Sequence, residues 1–424
     1  METAAVSNGL VMRMRGAVRE IASAPGFGGL LACSLVLGLA SSFVLPFLSL
    51  WGTQAVGMKP LTFALFMTSN AVCAMAASTF LARLSDTRWS RRTVLLIGGS
   101  GGTLGYLGYA FVMQPALLML IGATLVSVSA ISFSQIFAHA RDELARSERG
   151  NAAFALGVLR ASFSLAWTVG PALGALVLSH FGYRGSFLTA SGLLLAYLSL
   201  VFGLVPARPR DTPAAASAVQ REPLGRLLTR PFLLGQFVSF VLIFCAISMN
   251  LMNLPLLITQ ELGGGAPQVG TAFAVAPVFE IPFMLWLGRL SSSARQALMI
   301  RVGVLVGVAY FLALGFARGP VDVYPAQVLN AFTIAVTMSL AIPYFQDLLP
   351  GQTGLATSLY SSSWSLGSLM GYLSFGLLVE QLGHRGLTQL CAGLAVGSLL
   401  VLVSSRRPVP VTEPALAAEL SARS

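Results

Sequence analysis

The feature that most constrains this chain is a series of twelve long apolar runs, each near the length at which a helix crosses a lipid bilayer. At a rise of about 1.5 Å per residue, about 20 apolar residues span the ~30 Å hydrocarbon layer. The runs lie near residues 27–51, 61–84, 93–113, 116–140, 152–178, 186–205, 232–258, 267–290, 298–317, 322–345, 354–379 and 386–404. This pattern predicts an all-α membrane protein with 12 transmembrane helices.

Charge is scarce enough to exclude most soluble folds. Only 10% of the residues are charged, against roughly 25% in an ordinary soluble domain. Because a soluble core needs a polar shell, so few charges cannot cover one of this size. The sequence therefore predicts that the lipid bilayer surrounds most of the chain.

The positions of the basic residues predict the orientation of the chain. With a cytoplasmic amino terminus, 21 arginines lie in segments on the cytoplasmic side, and Arg160 lies inside a span. The outside loops hold only Lys59, Arg184, Arg318 and Arg385. This asymmetry follows the positive-inside rule and predicts that both termini are cytoplasmic. The formal net charge of +11 then reflects topology, and we expect no nucleic acid partner.

A polar segment and internal repeats divide the chain into two six-helix halves. The segment 206–231 is rich in Pro, Ala and Arg and has no apolar period, which is typical of a linker. We predict an N-terminal half at 1–205, a C-terminal half at 232–404 and a cytoplasmic tail at 405–424. Short motifs recur at offsets of 209, 206 and 201 residues: 45–48 with 254–257, 82–85 with 288–291, and 182–185 with 383–386. Such repeats are typical of secondary transporters with a binding site near the membrane midplane.

No residue pattern predicts catalysis or metal binding. The four cysteines lie in separate apolar runs, without the spacing of a zinc site or a disulfide framework. Residues 98–102 match the Gly-x-Ser-x-Gly pattern of a nucleophile elbow, but they continue a helical run where an elbow needs a strand-to-helix turn. We therefore predict a protein that is not an enzyme and that needs no cofactor and no metal.

In the loop after the second span an acid is followed by a basic pair; the residues are Asp86, Arg91 and Arg92. This arrangement resembles the loop signature of the major facilitator superfamily. Ala82 and Trp89 stand where that signature usually has glycines. The three charges are candidates for a cytoplasmic gate that pairs across the two halves. The alternative is ordinary positive-inside anchoring.

Further matches narrow the resemblance within the superfamily. In the fifth span, a Gly-Pro-x-x-Gly motif resembles the antiporter signature of exporters and implies a helix bend; its residues are Gly170, Pro171 and Gly174. Residues 133–138, 159–167 and 280–282 resemble the bacterial sugar efflux transporter family. Together the matches imply the major facilitator fold across essentially the whole chain.

The second resemblance also implies a function. The sugar efflux family exports small sugars and glycosides in exchange for protons, so the expected energy source is the proton gradient across the bacterial inner membrane. We expect a monomer. A drug or other metabolite/proton antiporter of the same superfamily is the alternative, because the Gly-Pro-x-x-Gly motif fits it equally well. The fourth-span arginine typical of drug/proton antiporters is missing, since Arg141 lies at the cytoplasmic end of that span.

Two charges lie in the middle of spans, where a charge needs a partner or a wet cavity. Arg160 and Glu280 each lie about 15 Å from the inner face, at 1.5 Å per residue. We predict that they form an ion pair between the halves in one conformation and separate in another. Glu280 is then either the proton carrier or one member of a static structural pair.

Binding a sugar requires amides and hydroxyls for its hydroxyl groups and an aromatic face for its C–H surface. The candidates at membrane depth are Asn70, Gln135, Trp167, Asn250, Asn253, Gln327, Asn330, Tyr360 and Trp364. Asn250 and Asn253 are three residues apart and share a helical face. Alternatively, polar side chains in spans join neighbouring helices and touch no substrate.

Overall fold

The computed structural model describes residues 26–147, 152–206, 229–288 and 293–405, which are helical almost throughout. The helices are α1 Phe27–Ala55, α2 Pro60–Thr87, α3 Arg91–Phe111, α4 Pro115–Leu144, α5 Ala152–Leu204, α6 Pro231–Glu261, α7 Ala266–Leu287, α8 Ser293–Gly315, α9 Pro320–Leu348 and α10 Thr353–Ser404. Most of the predicted linker 206–231 and nearly all of the predicted tail 405–424 lie outside the described residues.

Two of these helices are long enough to cross a bilayer twice. α5 has 53 residues and α10 has 52, about 80 Å each at 1.5 Å per residue. Each is interrupted at one glycine with a positive φ, 65° at Gly182 and 68° at Gly383, a backbone conformation that favours glycine. We call the parts on either side α5a (152–181), α5b (183–204), α10a (353–382) and α10b (384–404).

Contacts with α1 indicate that the chain reverses at Gly182. Ser34 Oγ donates to the carbonyl of Leu159 in α5a, at 3.0 Å. Close by on α1, Gly29 packs against Leu204 of α5b. Since Leu159 and Leu204 lie at the same end of α1, α5a and α5b run in opposite directions.

α10 reverses at Gly383 in the same way, beside α6. Phe244 of α6 packs edge to face on Trp364 of α10a with ring centroids 4.7 Å apart, and Ser239 of α6 donates to the carbonyl of Ser398 in α10b, at 2.9 Å. Within the described ranges, the ten helices therefore make twelve crossings. The predicted all-helical fold of twelve spans is confirmed.

Helices of the two halves pack closely against each other at one end of the bundle. We call it the outer end, after the predicted topology; it carries the turns at 57–59 and 262–265, and the opposite end is the inner end. There, Gly376 of α10a packs against Ala64 of α2 and the carbonyl of Pro60. Further toward the inner end, a gap of about 310 Å³ separates α2 from α10a.

The Gly-Pro-x-x-Gly motif lies in this tightly packed region. The backbone of α5a stays helical through Pro171. A Cβ at Gly170 would collide with Ser42 of α1, and one at Gly174 would lie 3.1 Å from the Cα of Phe43. The motif therefore permits close packing of α5a on α1, and the helix bend stays a prediction.

Candidate functional site

A cavity of about 550 Å³ lies between the two halves, where the helices separate below the outer contact. Its walls come from α1, α2, α4 and α5a on one side and from α6 to α10a on the other. Seven of the predicted site residues line it: Arg160, Trp167, Asn250, Glu280, Gln327, Asn330 and Trp364. The fold thus brings together, in one space, residues that are far apart in the chain.

The two mid-span charges face this cavity from opposite halves. Arg160 lies on α5a and Glu280 on α7, and the two charges are near enough to interact electrostatically. Among the described residues, no ion pair within 4.0 Å joins them. The wall of a wet cavity is an environment in which buried charges are tolerated. The direct ion pair and its cycle of forming and breaking stay predictions.

A connected set of polar side chains forms the cavity wall on the C-terminal side. The hydroxyl of Tyr310 on α8 accepts hydrogen bonds from Asn250 Nδ2, at 2.9 Å, and from Gln327 Nε2, at 3.2 Å. Gln327 Oε1 accepts in turn from Asn330 Nδ2, at 2.9 Å. We call these four residues the polar wall. It holds Asn250 Oδ1, which is buried without a hydrogen-bond partner.

The opposite wall is mainly aromatic and apolar. Phe133 of α4 and Phe163 of α5a pack edge to face with centroids 4.7 Å apart, and both line the cavity. Trp167, one turn further along α5a, lines it too, and its indole Nε1–H is buried without an acceptor. Buried donors usually have partners, so this N–H is a candidate contact for a bound molecule.

Two predicted candidates from the N-terminal half are not among the residues that line the cavity. Asn70 donates to the hydroxyl of Tyr109, at 3.3 Å. Gln135 is buried and accepts from Ser85, at 3.0 Å, and from Arg91, at 3.2 Å. Both amides join neighbouring helices, which is the alternative role that the sequence left open.

Two predicted candidates from the C-terminal half also lie outside the lining. Asn253 donates to the carbonyl of His384 at 2.9 Å and to Thr388 at 3.1 Å, near the outer end. Tyr360 donates to the carbonyl of Thr337 on α9, at 3.1 Å. Each side chain donates its hydrogen bonds to a neighbouring helix. A substrate contact for either residue stays a prediction.

The contacts described here for the candidate gate residues Arg91 and Arg92 lie within one half. Arg91 pairs with Asp86 at 3.6 Å and with Asp142 of α4. Arg92 donates to the carbonyl of Phe202 in α5b and lies 5.1 Å from the centre of its ring. These contacts differ from the predicted pairing across halves, and a gate role for these residues stays a prediction.

Tyr310 is a cavity residue that sequence reasoning missed. It is 1% exposed and lies in a long apolar run. In such a run the sequence indicates a packing role for a tyrosine. The available signal was a phenol at membrane depth in the same half as Asn250 and Gln327. A buried phenol usually needs a hydrogen-bond partner, and these two amides are the partners at hand.

Comparison with known proteins agrees with the fold. The Major Facilitator Superfamily model matches residues 30–326. Deinococcus radiodurans has a relative named for sugar efflux that is 36% identical over 90% of this chain and 98% of its own length. Sugar efflux transporter A of Dickeya chrysanthemi is 31% identical over 82% of this chain and 88% of its own length.

A solved structure shares the fold at low sequence identity. The nucleoside transporter NupG superposes with a TM-score of 0.75 at 14% identity, over 91% of this chain and 100% of its own. The family match covers well over half of the sequence, and two relatives above 30% identity cover most of it. The chain therefore belongs to the Major Facilitator Superfamily of membrane transporters.

Proposed function

We propose that this protein exports small sugars or glycosides across the bacterial inner membrane in exchange for protons. The observation that carries the proposal is the cavity between the halves, in which the polar wall faces the tryptophan and phenylalanines of the opposite wall. This pairing suits a sugar, because amides and hydroxyls hold its hydroxyl groups while aromatic rings cover its C–H surface. The names of the bacterial relatives support the same substrate class.

The two cavity charges supply the proposed coupling. With Glu280 ionised, its carboxylate attracts the guanidinium of Arg160 across the cavity. When Glu280 takes up a proton it becomes neutral, and Arg160 is released to donate hydrogen bonds to a sugar hydroxyl. Each proton that returns down a 100 mV potential supplies about 2.3 kcal/mol. Arg160 therefore links the protonation of Glu280 to substrate binding.

Export also requires the cavity to open alternately to the two sides. The helices are packed together at the outer end by Gly376 against α2 and by Gly270 of α7 against Pro171 and Ala175 of α5a. The gap between α2 and α10a lies further toward the inner end. We interpret this arrangement as a state closed on the outer side, from which a rocking of the halves would open it.

The proton role of Glu280 can be tested in proteoliposomes with an imposed pH gradient. We expect Glu280→Gln to abolish uphill, pH-driven sugar transport and to retain downhill counterflow, because a neutral amide cannot exchange a proton. Glu380→Gln is the matched control, since Glu380 is exposed on α10a and does not line the cavity. Uphill transport retained by Glu280→Gln would show that Glu280 is a structural residue only.

The substrate class can be tested with the wild-type protein. Counterflow of labelled methyl glucoside should be measured beside that of a cationic dye in the same vesicles. Sugar counterflow alone is expected. Dye counterflow without sugar counterflow would favour the drug antiporter and contradict the proposal.

A further inference from the structure

We propose that Tyr310 and Asn250 form a hydroxyl-reading pair: one hydroxyl group of the substrate accepts from the Tyr310 O–H and donates to Asn250 Oδ1. The inference rests on the proposed function and specifies how the cavity recognises its substrate. It follows from which donors and acceptors of the polar wall already form hydrogen bonds and which do not.

The acceptor capacity of the Tyr310 hydroxyl is occupied. A tyrosine hydroxyl has one proton to donate and an oxygen that can accept. Two amide groups, Asn250 Nδ2 and Gln327 Nε2, already donate to that oxygen. Asn330 fixes the direction of the Gln327 amide by donating to its oxygen. The proton of Tyr310 is what remains, so toward the cavity this residue acts as a donor.

Asn250 supplies the complementary atom. Its Nδ2 is spent on Tyr310, while its Oδ1 is buried and receives no hydrogen bond. The side chain is 6% exposed, and the residue lines the cavity beside Tyr310. A buried acceptor left unpaired carries a free-energy cost. A ligand that donates to this oxygen removes that cost.

The two unused functions lie on neighbouring side chains and have opposite polarity. A hydroxyl is both donor and acceptor, so one hydroxyl satisfies both. An ether or carbonyl oxygen could accept from Tyr310 but would leave Asn250 Oδ1 unpaired. An ammonium group could donate to Asn250 but could not accept from Tyr310. The pair therefore selects neutral, hydroxyl-bearing substrates over cationic ones.

The N-terminal half offers a matched comparison on its third helix. Tyr109 is also buried and accepts from an asparagine, Asn70. It packs among the rings of Trp51, Phe66 and Phe187 and is not among the residues that line the cavity. Tyr109→Phe removes the same atom as Tyr310→Phe, from the half that does not present it to the cavity.

The test is equilibrium binding of methyl glucoside, its monodeoxy analogues and its monodeoxyfluoro analogues to the purified protein. A deoxy analogue lacks both donor and acceptor, while a fluoro analogue lacks the donor. At one ring position we expect the deoxy analogue to bind wild type at least about tenfold more weakly than the parent sugar. In Tyr310→Phe, the ratio between the affinities of the parent sugar and of that deoxy analogue should be about fivefold smaller than in wild type. The reason is that the variant has already lost the hydrogen bond from the Tyr310 O–H, which is one of the two that the deoxy analogue cannot form.

Asn250→Leu tests the other half of the pair and does not depend on the folding of Tyr310→Phe. At the same ring position the fluoro analogue should bind wild type more weakly than the parent sugar, and this penalty should vanish in Asn250→Leu. Tyr109→Phe should keep every wild-type penalty. Deoxy and fluoro penalties that stay at wild-type size at every ring position in Tyr310→Phe and Asn250→Leu would overturn the hydroxyl-reading pair alone. A wild-type protein that binds none of these glycosides would overturn the proposed function and this inference with it.

Discussion

The two halves of this transporter place similar tyrosine–asparagine pairs in different surroundings. Each half has a buried tyrosine on its third helix whose hydroxyl accepts from an asparagine amide. In the N-terminal half, Tyr109 lies in an aromatic core, with its ring centroid 5.2 Å from that of Trp51. In the C-terminal half, Tyr310 accepts from a second amide and lines the cavity. The two tyrosines occupy matching positions in the halves, but their asparagine partners come from different helices, Asn70 from α2 and Asn250 from α6. The neighbouring residues therefore decide whether the tyrosine lies in an aromatic core or in the cavity wall.

The hairpin loops at the outer end show the same divergence. Arg184 follows Gly182 and lies 4.4 Å from the centre of the Phe111 ring, at the end of the third helix. Arg385 follows Gly383, donates to the carbonyl of Gly315, at the end of the corresponding helix, and pairs with Glu261 at 3.1 Å. Both arginines fasten a hairpin to the third helix of their half. One contact is a cation–π interaction and the other combines a hydrogen bond with an ion pair.

The largest expected effect comes from breaking the contact between the halves. In Gly376→Val, the added side chain would collide with Ala64 and approach the carbonyl of Pro60, so the outer end cannot close. We expect uphill export to fall at least about tenfold, because closing that end is one step of every cycle. Gly393→Val is the control on the same helix, since a Cβ there meets no atom within 4 Å.

Labelling can check whether the outer end stays open in Gly376→Val. Phe273 lines the cavity on α7, near the outer end. A Phe273→Cys reporter should react faster with an impermeant thiol reagent from outside in Gly376→Val than in the protein with glycine there. Unchanged labelling together with wild-type export would show that this contact is not part of outer closure.

A smaller effect is expected from the aromatic wall that the N-terminal half contributes. Trp167→Leu removes the indole ring and its unpaired N–H while leaving an apolar side chain in the cavity. We expect sugar affinity to fall about tenfold, as one stacking surface and one donor are lost, with the proton dependence of transport unchanged. Trp89→Leu is the control, because Trp89 lies exposed in the loop after α2. Equal affinities in both variants would assign Trp167 to packing.

The fold could be predicted from the sequence because lipid leaves a chain few alternatives. Each span needs its full length of apolar residues, so twelve runs predicted twelve crossings. The repeat at 182–185 and 383–386 marks the two hairpins, where Gly182 and Gly383 take a positive φ. The same argument brought Arg160 and Glu280 to one cavity, since charges at that depth cannot face hydrocarbon.

The polar wall was harder to predict. Asn250 and Asn253 lie on one face of α6, yet Asn253 bonds to His384 and Thr388 while Asn250 bonds to Tyr310 in the cavity wall. An amide in a span can form its hydrogen bonds with a neighbouring helix or with groups at a cavity. A single sequence does not show which of these partners lies next to it. Tyr310 was missed for the same reason, because its two amide donors come from α6 and α9.

The smallest expected effect is on stability, which should change little when either tyrosine loses its hydroxyl. Tyr109→Phe and Tyr310→Phe each remove hydrogen bonds within a membrane protein, where such bonds average about 0.6 kcal/mol. We expect both variants to lower the melting temperature by no more than a few degrees. Sugar affinity should fall in Tyr310→Phe and stay at the wild-type value in Tyr109→Phe, as measured by binding at a temperature where both are folded. If the two variants lose affinity in proportion to their loss of stability, the two halves do not differ in the way proposed. If they are equally stable and only Tyr310→Phe binds weakly, the difference between the halves lies in which tyrosine reaches the cavity.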